Sequence, residues 1–257
     1  MKKRTFYAAS LSGLFILFGP RLAAQTLYWG LNAGISLPSI SGGNNELSQG
    51  YTTRLAPNFG IQAERSISER FSLQAELNFA GQGGKRKGIQ PITDLPPQFS
   101  SFLPSGQYLY ADFKNVSELN YLELPILAKW YWGQRFRVYA VGGPYVGYLL
   151  SARQKLSGSS DIYADKNRDP FTIGGQPLPS QSFDTTINVI SDIHRFNFGI
   201  TAGAGVVYPA GKKEQLFFNV RFEYGLINIQ KNSENGKNNT GNVLLTVGYA
   251  RRFGQNK

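Results

Sequence analysis

Apolar and polar residues alternate with period two along most of this chain, in runs of about 10 residues, and that pattern commits the backbone to strands with one apolar face. In the first run Leu27, Trp29, Leu31, Ala33 and Ile35 oppose Tyr28, Gly30, Asn32, Gly34 and Ser36. Phe59, Ile61 and Ala63 then oppose Gly60, Gln62 and Glu64; Phe71, Leu73, Ala75, Leu77 and Phe79 oppose Ser72, Gln74, Glu76 and Asn78. A fourth run sets Leu122, Leu124, Ile126, Ala128 and Trp130 against Tyr121, Glu123, Pro125, Leu127 and Lys129. The fifth, 136–150, is glycine-rich and leaves its facing open. Later runs place Phe196, Phe198, Ile200, Ala202, Ala204 and Val206 against Asn197, Gly199, Thr201, Gly203 and Gly205, and Phe218, Val220, Phe222, Tyr224 and Leu226 against Asn219, Arg221, Glu223 and Gly225. In the eighth, Val243, Leu245, Val247, Tyr249 and Phe253 oppose Thr246, Gly248, Ala250 and Arg252.

The connections alternate in length. Short links fall at 66–70, 133–135 and 209–214; the other four, 38–57, 81–117, 151–193 and 230–241, are long and rich in Gly, Pro, Ser, Asn and Asp. Tight turns on one side and long loops on the other are the pattern of an outer-membrane barrel, and an even strand number puts both ends of the barrel on the short-turn, periplasmic side. The fold expected is all-β, an eight-stranded antiparallel up-and-down transmembrane β-barrel.

Alternation alone also suits a soluble sandwich or lipocalin-like barrel, in which the apolar face turns inward. Three features favour lipid outside. The runs have the length of a tilted membrane-crossing strand, where soluble strands have about 5 or 6 residues. Trp29, Phe59, Phe71, Phe79, Trp130, Tyr208, Phe218, Tyr249 and Phe253 stand near run ends, where aromatic girdles sit. On the opposite face Glu64, Glu76, Glu123, Lys129, Arg221, Glu223 and Arg252 interleave with small residues. In a narrow barrel such charges form a lumen network, paired because an unpaired buried charge costs several kcal/mol, with glycines leaving room for long arginines. The barrel is then plugged by its own side chains.

The N-terminus carries Lys2, Lys3 and Arg4, an apolar stretch at 11–18, and Leu22, Ala23 and Ala24 before Gln25. This reads as a secretory signal peptide at 1–24, ahead of a barrel domain at 25–257. Arg21 interrupts the stretch too early for a membrane helix of about 20 residues. With no cysteine, the chain has neither disulfides nor thiolate metal sites. The formal charge of +11 falls to +7 without Lys2, Lys3, Arg4 and Arg21, and its cations are spread over strands and loops with no groove-reading motif, which argues against nucleic acid.

Other features carry weaker chemistry. His194, the single histidine, stands close to Ser191 and Asp192 where a long loop re-enters the barrel, and an outer-membrane hydrolase or acyltransferase could use those residue types. Nothing marks a nucleophile or an oxyanion hole, and an interfacial polar residue is the plainer reading. Asp165, Asn167 and Asp169 open like a calcium loop, but Pro170 replaces the turn glycine and no correctly spaced Glu follows, so local turns explain them better. Lys85, Arg86 and Lys87 form a basic cluster suited to lipopolysaccharide phosphates or an acidic partner, or to a solvated loop face. No cofactor or metal is expected.

The stretches 119–125 (LNYLELP), 142–148 (GGPYVGY) and 221–229 (RFEYGLINI), with the final strand ending at Phe253, give the mature chain a resemblance to the PorT-like outer-membrane β-barrel family. The resemblance implies an integral barrel in the outer membrane of a Gram-negative cell. It also implies a terminal aromatic read by the barrel-insertion machinery, although residues 254–257 extend past it, and an association with secretion-apparatus components. It supplies no catalytic residue. The function expected is non-enzymatic, structural or accessory to protein secretion, with long extracellular loops binding partners. The rivals are a small pore or solute-binding barrel, an outer-membrane enzyme using His194, and a secreted soluble barrel.

Overall fold

The computed structural model describes residues 26–43, 45–92, 107–232 and 236–253; the signal peptide expected at 1–24 lies outside the described residues. Eight strands make the wall: β1 Leu27–Ser36, β2 Ala56–Ser66, β3 Phe71–Pro91, β4 Tyr110–Trp132, β5 Arg137–Ser157, β6 Phe196–Pro209, β7 Glu214–Gly225 and β8 Asn238–Phe253. Each pairs antiparallel with its neighbours in sequence, and β1 pairs with β8 from Leu27↔Phe253 to Ser36↔Leu244, so the sheet closes on itself. Closure satisfies the backbone of every strand from its neighbours, which is what lets a sheet stand in lipid.

The alternation read from sequence sets the facing. Leu31, Phe59, Ile61, Leu122, Trp130, Phe198, Ile200, Phe218, Phe222 and Val247 are exposed on the outside, while Asn32, Gln62, Gln74, Glu76, Glu123, Lys129, Thr201, Arg221 and Thr246 are buried inside. A soluble barrel would reverse this. Phe59 stacks on Phe79 at 5.1 Å, and Tyr148 meets Phe196 edge-on at 5.4 Å. The register links these pairs through Leu122 into one apolar row across β2 to β6. Toward the short turns, Phe71 and Trp130 rings lie 6.2 Å apart.

The short turns fall at 67–70, 133–136 and 210–213. The first is tied by Ile67 N–H to Phe71 O at 2.9 Å and by Phe71 N–H to Ser68 Oγ at 3.1 Å. Gly133 supplies the positive φ of the second, at 91°.

Several segments expected as loops are strand. β3 runs on to Pro91, β4 begins at Tyr110 and β5 reaches Ser157, so three strands stand well past the apolar band. The glycines at 81–88 suggested a loop, but Gly83 is a strand residue at φ 115°, and a Cβ there would collide with Ser117 O of β4. On this extension the outward face turns polar: Lys85, Lys87, Lys114 and Arg153 are exposed, and Lys155 pairs with Glu118 at 2.8 Å. Short strands trim the loops: Ser39–Gly42 pairs with the start of β8, and Thr185–Asn188 pairs with the end of β5. The facing of the fifth run, open from sequence, is settled. Tyr139, Val141, Tyr145 and Leu149 point in, and a bulge opposite Asn120/Tyr121 absorbs one residue near Leu150.

Candidate functional site: a closed lumen and its outer rim

The inward residues fill the barrel in layers. At the short-turn end Leu127, Tyr131, Tyr139, Val141, Val207, Phe217 and Ala250 pack into an apolar cluster, with Tyr28 against it. Lys129 lies beside it, its Nζ 4.4 Å from the centroid of the Tyr139 ring and 5.8 Å from that of Phe217. Its charge is met by Glu64 Oε2 at 2.9 Å. Glu64 Oε1 accepts from the Tyr131 hydroxyl at 2.6 Å and from Ser72 Oγ at 2.7 Å.

One layer further out, Arg221 of β7 spans the lumen to Glu76 of β3. Its two terminal nitrogens donate to the two carboxylate oxygens at 3.0 and 2.9 Å. Asn78 Nδ2 donates to Glu76 Oε2 at 2.7 Å, and the Gln74 amide donates to the other oxygen. Planar guanidinium and carboxylate in this fork have little freedom to slide, so the pair acts as a strut between opposite walls. Room for it comes from Gly203, the register partner of Arg221.

Glu123 and Glu223 occupy the outer layer and take amides: Gln82 Nε2 donates to Glu123 Oε1 at 3.0 Å, and Asn242 Nδ2 donates to Glu223 Oε2 at 3.2 Å. Among the described residues, therefore, the buried ionisable groups of the lumen are four carboxyls and two cations. Arg252 stands half-buried at the short-turn end of β8, opposite Tyr28. Above this layer Leu119, Tyr121, Leu149, Ala152, Ile193 and Ile229 form a second apolar cluster. Ile193 and Ile229 come from two different loops, which are joined by His194 N–H to Ile229 O at 2.8 Å and Lys231 N–H to Asp192 O at 2.9 Å. The polar lumen thus lies between two apolar plugs.

The sequence placed Gln62, Gln74 and Asn78 on the polar face without tying them to the charges; Tyr131, Gln74, Asn78 and Gln82 bond the carboxylates directly, and Gln62 accepts from Gln74. Parity was the available signal, because Gln62 precedes Glu64 by two and Tyr131 follows Lys129 by two.

The other candidates separate. Ser191 Oγ donates to Asp192 Oδ1 at 3.1 Å, and among the described residues the exposed His194 imidazole bonds to neither. Asp165 Oδ1 accepts from the backbone N–H of Asn167 at 2.8 Å and of Asp169 at 3.2 Å, which makes the segment a local Asx turn; no group of metal-ligating side chains gathers among the described residues. The basic triplet is split by strand alternation: Lys85 and Lys87 point outward, while Arg86 turns inward and donates to Leu47 O at 3.0 Å and Glu46 O at 3.3 Å. Glu46 ties the outer loops together, accepting from Lys166 Nζ and the Tyr110 hydroxyl at 2.6 Å each.

The sequence pattern describing the outer membrane protein β-barrel domain matches residues 23–231. The chain belongs to that family. Membership places the barrel in the outer membrane of a Gram-negative cell; barrels of this kind keep short turns periplasmic and long loops outside. Among curated proteins none matches the chain. Among solved structures it is similar to Neisserial surface protein A, 13% identical over 88% of this chain and 97% of that one, with a TM-score of 0.39. It is also similar to the outer membrane protein OprG from Pseudomonas aeruginosa, 10% identical over 90% and 96%, with a TM-score of 0.38. The outer membrane protease OmpT from Escherichia coli is 11% identical over 89% and 96%, with a TM-score of 0.40. At such low identity none of them assigns an activity to this chain.

Proposed function

We propose that this barrel is a non-enzymatic platform of the PorT-like kind, anchored in the outer membrane and accessory to protein secretion, whose outer rim binds partner proteins. The observation that carries the reading is the filled lumen: two buried ion pairs, one of them across the barrel, between apolar plugs leave the extended rim of β3, β4 and β5 as the part of the molecule that meets other molecules. Support for the secretion role is the resemblance of 119–125, 142–148 and 221–229 to PorT-like barrels. Lys85, Lys87, Lys114 and Arg153 on the outward face of the extension suit lipopolysaccharide phosphates where the rim leaves the bilayer. Phe253, at the end of β8, suits recognition by the insertion machinery.

The test is deletion of the gene in its own cell, followed by quantitation of proteins released to the medium. Loss of a defined set of exported proteins, restored by the full chain but not by a chain with 158–184 replaced by a short Gly/Ser link, supports the reading. An unchanged secreted set overturns the secretion role.

A further inference from the structure

The outer extension and the loops over it hold a partly open cavity of about 250 Å³, outside the membrane band and separate from the charged lumen. Its wall is graded. Toward the membrane, β3 and β4 place Arg86 and Asn115 as direct register partners, with Gln154 of β5 beside them. Toward the tip the lining is Leu109, Phe113, Ile162 and Phe183, and the two phenylalanine rings stack at 4.7 Å. Phe113 follows the parity of Asn115 on the same face, and two residues along a strand are about 7 Å.

The polar end offers two complementary groups. Arg86 is the one charged side chain lining the cavity among the described residues; its terminal nitrogens meet main-chain carbonyls of 46 and 47, and its guanidinium lies over the Tyr51 ring at 5.4 Å. Asn115 is buried at 9% exposure, and its Oδ1 is closed off from water with no hydrogen-bond partner. An orphaned buried acceptor costs about 1–3 kcal/mol, which a donor in the cavity would relieve after a small turn of the amide about its soft terminal torsion.

We propose that this cavity binds a small apolar acid bearing a hydrogen-bond donor next to its carboxylate, the chemistry of an aromatic α-hydroxy acid. The carboxylate lies toward Arg86, the hydroxyl donates to Asn115 Oδ1, and the ring packs among Leu109, Phe113 and Phe183. At this volume the site sits near the small end of ligand pockets, which suits one ring and a short acid arm. The site is independent of the secretion role.

The test uses the refolded full barrel in detergent and calorimetric titration with three probes: phenyllactate, 3-phenylpropionate without the hydroxyl, and 2-phenylethanol without the acid. Phenyllactate is expected to bind roughly 3–10-fold more tightly than 3-phenylpropionate, the worth of one hydrogen bond. Asn115→Leu, with folding checked by its heat-dependent gel shift, is expected to erase that difference, and Arg86→Gln the preference for acids over 2-phenylethanol. Equal binding of all three probes, an unchanged ranking in Asn115→Leu, or no binding at millimolar concentration would each overturn the proposal.

Discussion

Arg221 and Glu76 face each other across the barrel, both all but fully buried, joined by two parallel hydrogen bonds of 3.0 and 2.9 Å. They sit on β7 and β3, which are not neighbours in the sheet, so the pair holds opposite walls at a fixed distance. Removing one partner strands the other charge. Glu76→Ala is expected to lower unfolding stability by about 3–5 kcal/mol, whereas Glu76→Leu combined with Arg221→Met recovers most of it. Urea unfolding followed by tryptophan fluorescence checks both, and a double variant no more stable than the single one contradicts the strut.

Gly203 makes the strut possible. A Cβ at this position would stand 2.8 Å from Arg221 Cα and 3.0 Å from its Cγ. Gly203→Val is expected to prevent closure of β6 on β7, seen as loss of the heat-dependent mobility shift, whereas outward-facing Ala204→Val keeps it. Equal mobility shifts in the two variants would contradict the close approach.

How far the sequence told this in advance differs along the chain. Alternation was enough for the facing of seven runs, because lipid and lumen impose opposite chemistries on neighbouring residues. It failed at 136–150, where Gly142, Gly143 and Gly147 carry no side chain and inward Tyr139 and Tyr145 resemble girdle aromatics. It also stopped the strands short: Gly81, Gly83 and Gly84 have the composition of a loop, yet serve close backbone approach in β3. The lumen charges were legible as a set, but which carboxylate meets which cation depends on stagger between distant strands. Arg86 and Asn115 belonged to a stretch expected to be a loop, so nothing in the pattern joined them.

The outer loops are tied by Glu46, whose carboxylate is held below the usual range chiefly by the Lys166 hydrogen bond and next by the Tyr110 hydroxyl. Burial, then the Glu46 contact, pushes Tyr110 up to about 12. A depressed carboxylate stabilises the docked loops above its ordinary value of 4.5, and that contribution is lost as pH falls through the lower folded value; the raised phenol's contribution is present below 10.0 and lost as pH rises toward about 12. Carbon-13 NMR titration is expected to place the Glu46 midpoint below 4.5 and to move it up in Lys166→Ala. A midpoint at or above 4.5 contradicts the tether.

The outward face is lipid-facing, and Ile61 stands mid-strand on β2, exposed on the isolated barrel. Ile61→Arg is expected to cost about 2–4 kcal/mol of folding stability in bilayers. Chemical unfolding in lipid vesicles checks it, and a cost near zero would contradict the placement of this face in lipid.

Single-channel recording on the purified barrel in planar bilayers tests the closed lumen most directly. With Lys129–Glu64 and Arg221–Glu76 bridged between apolar plugs, inserted wild-type protein gives a trace at the bilayer baseline. Reproducible ohmic steps from the wild-type chain would contradict the account and return the barrel to the pores.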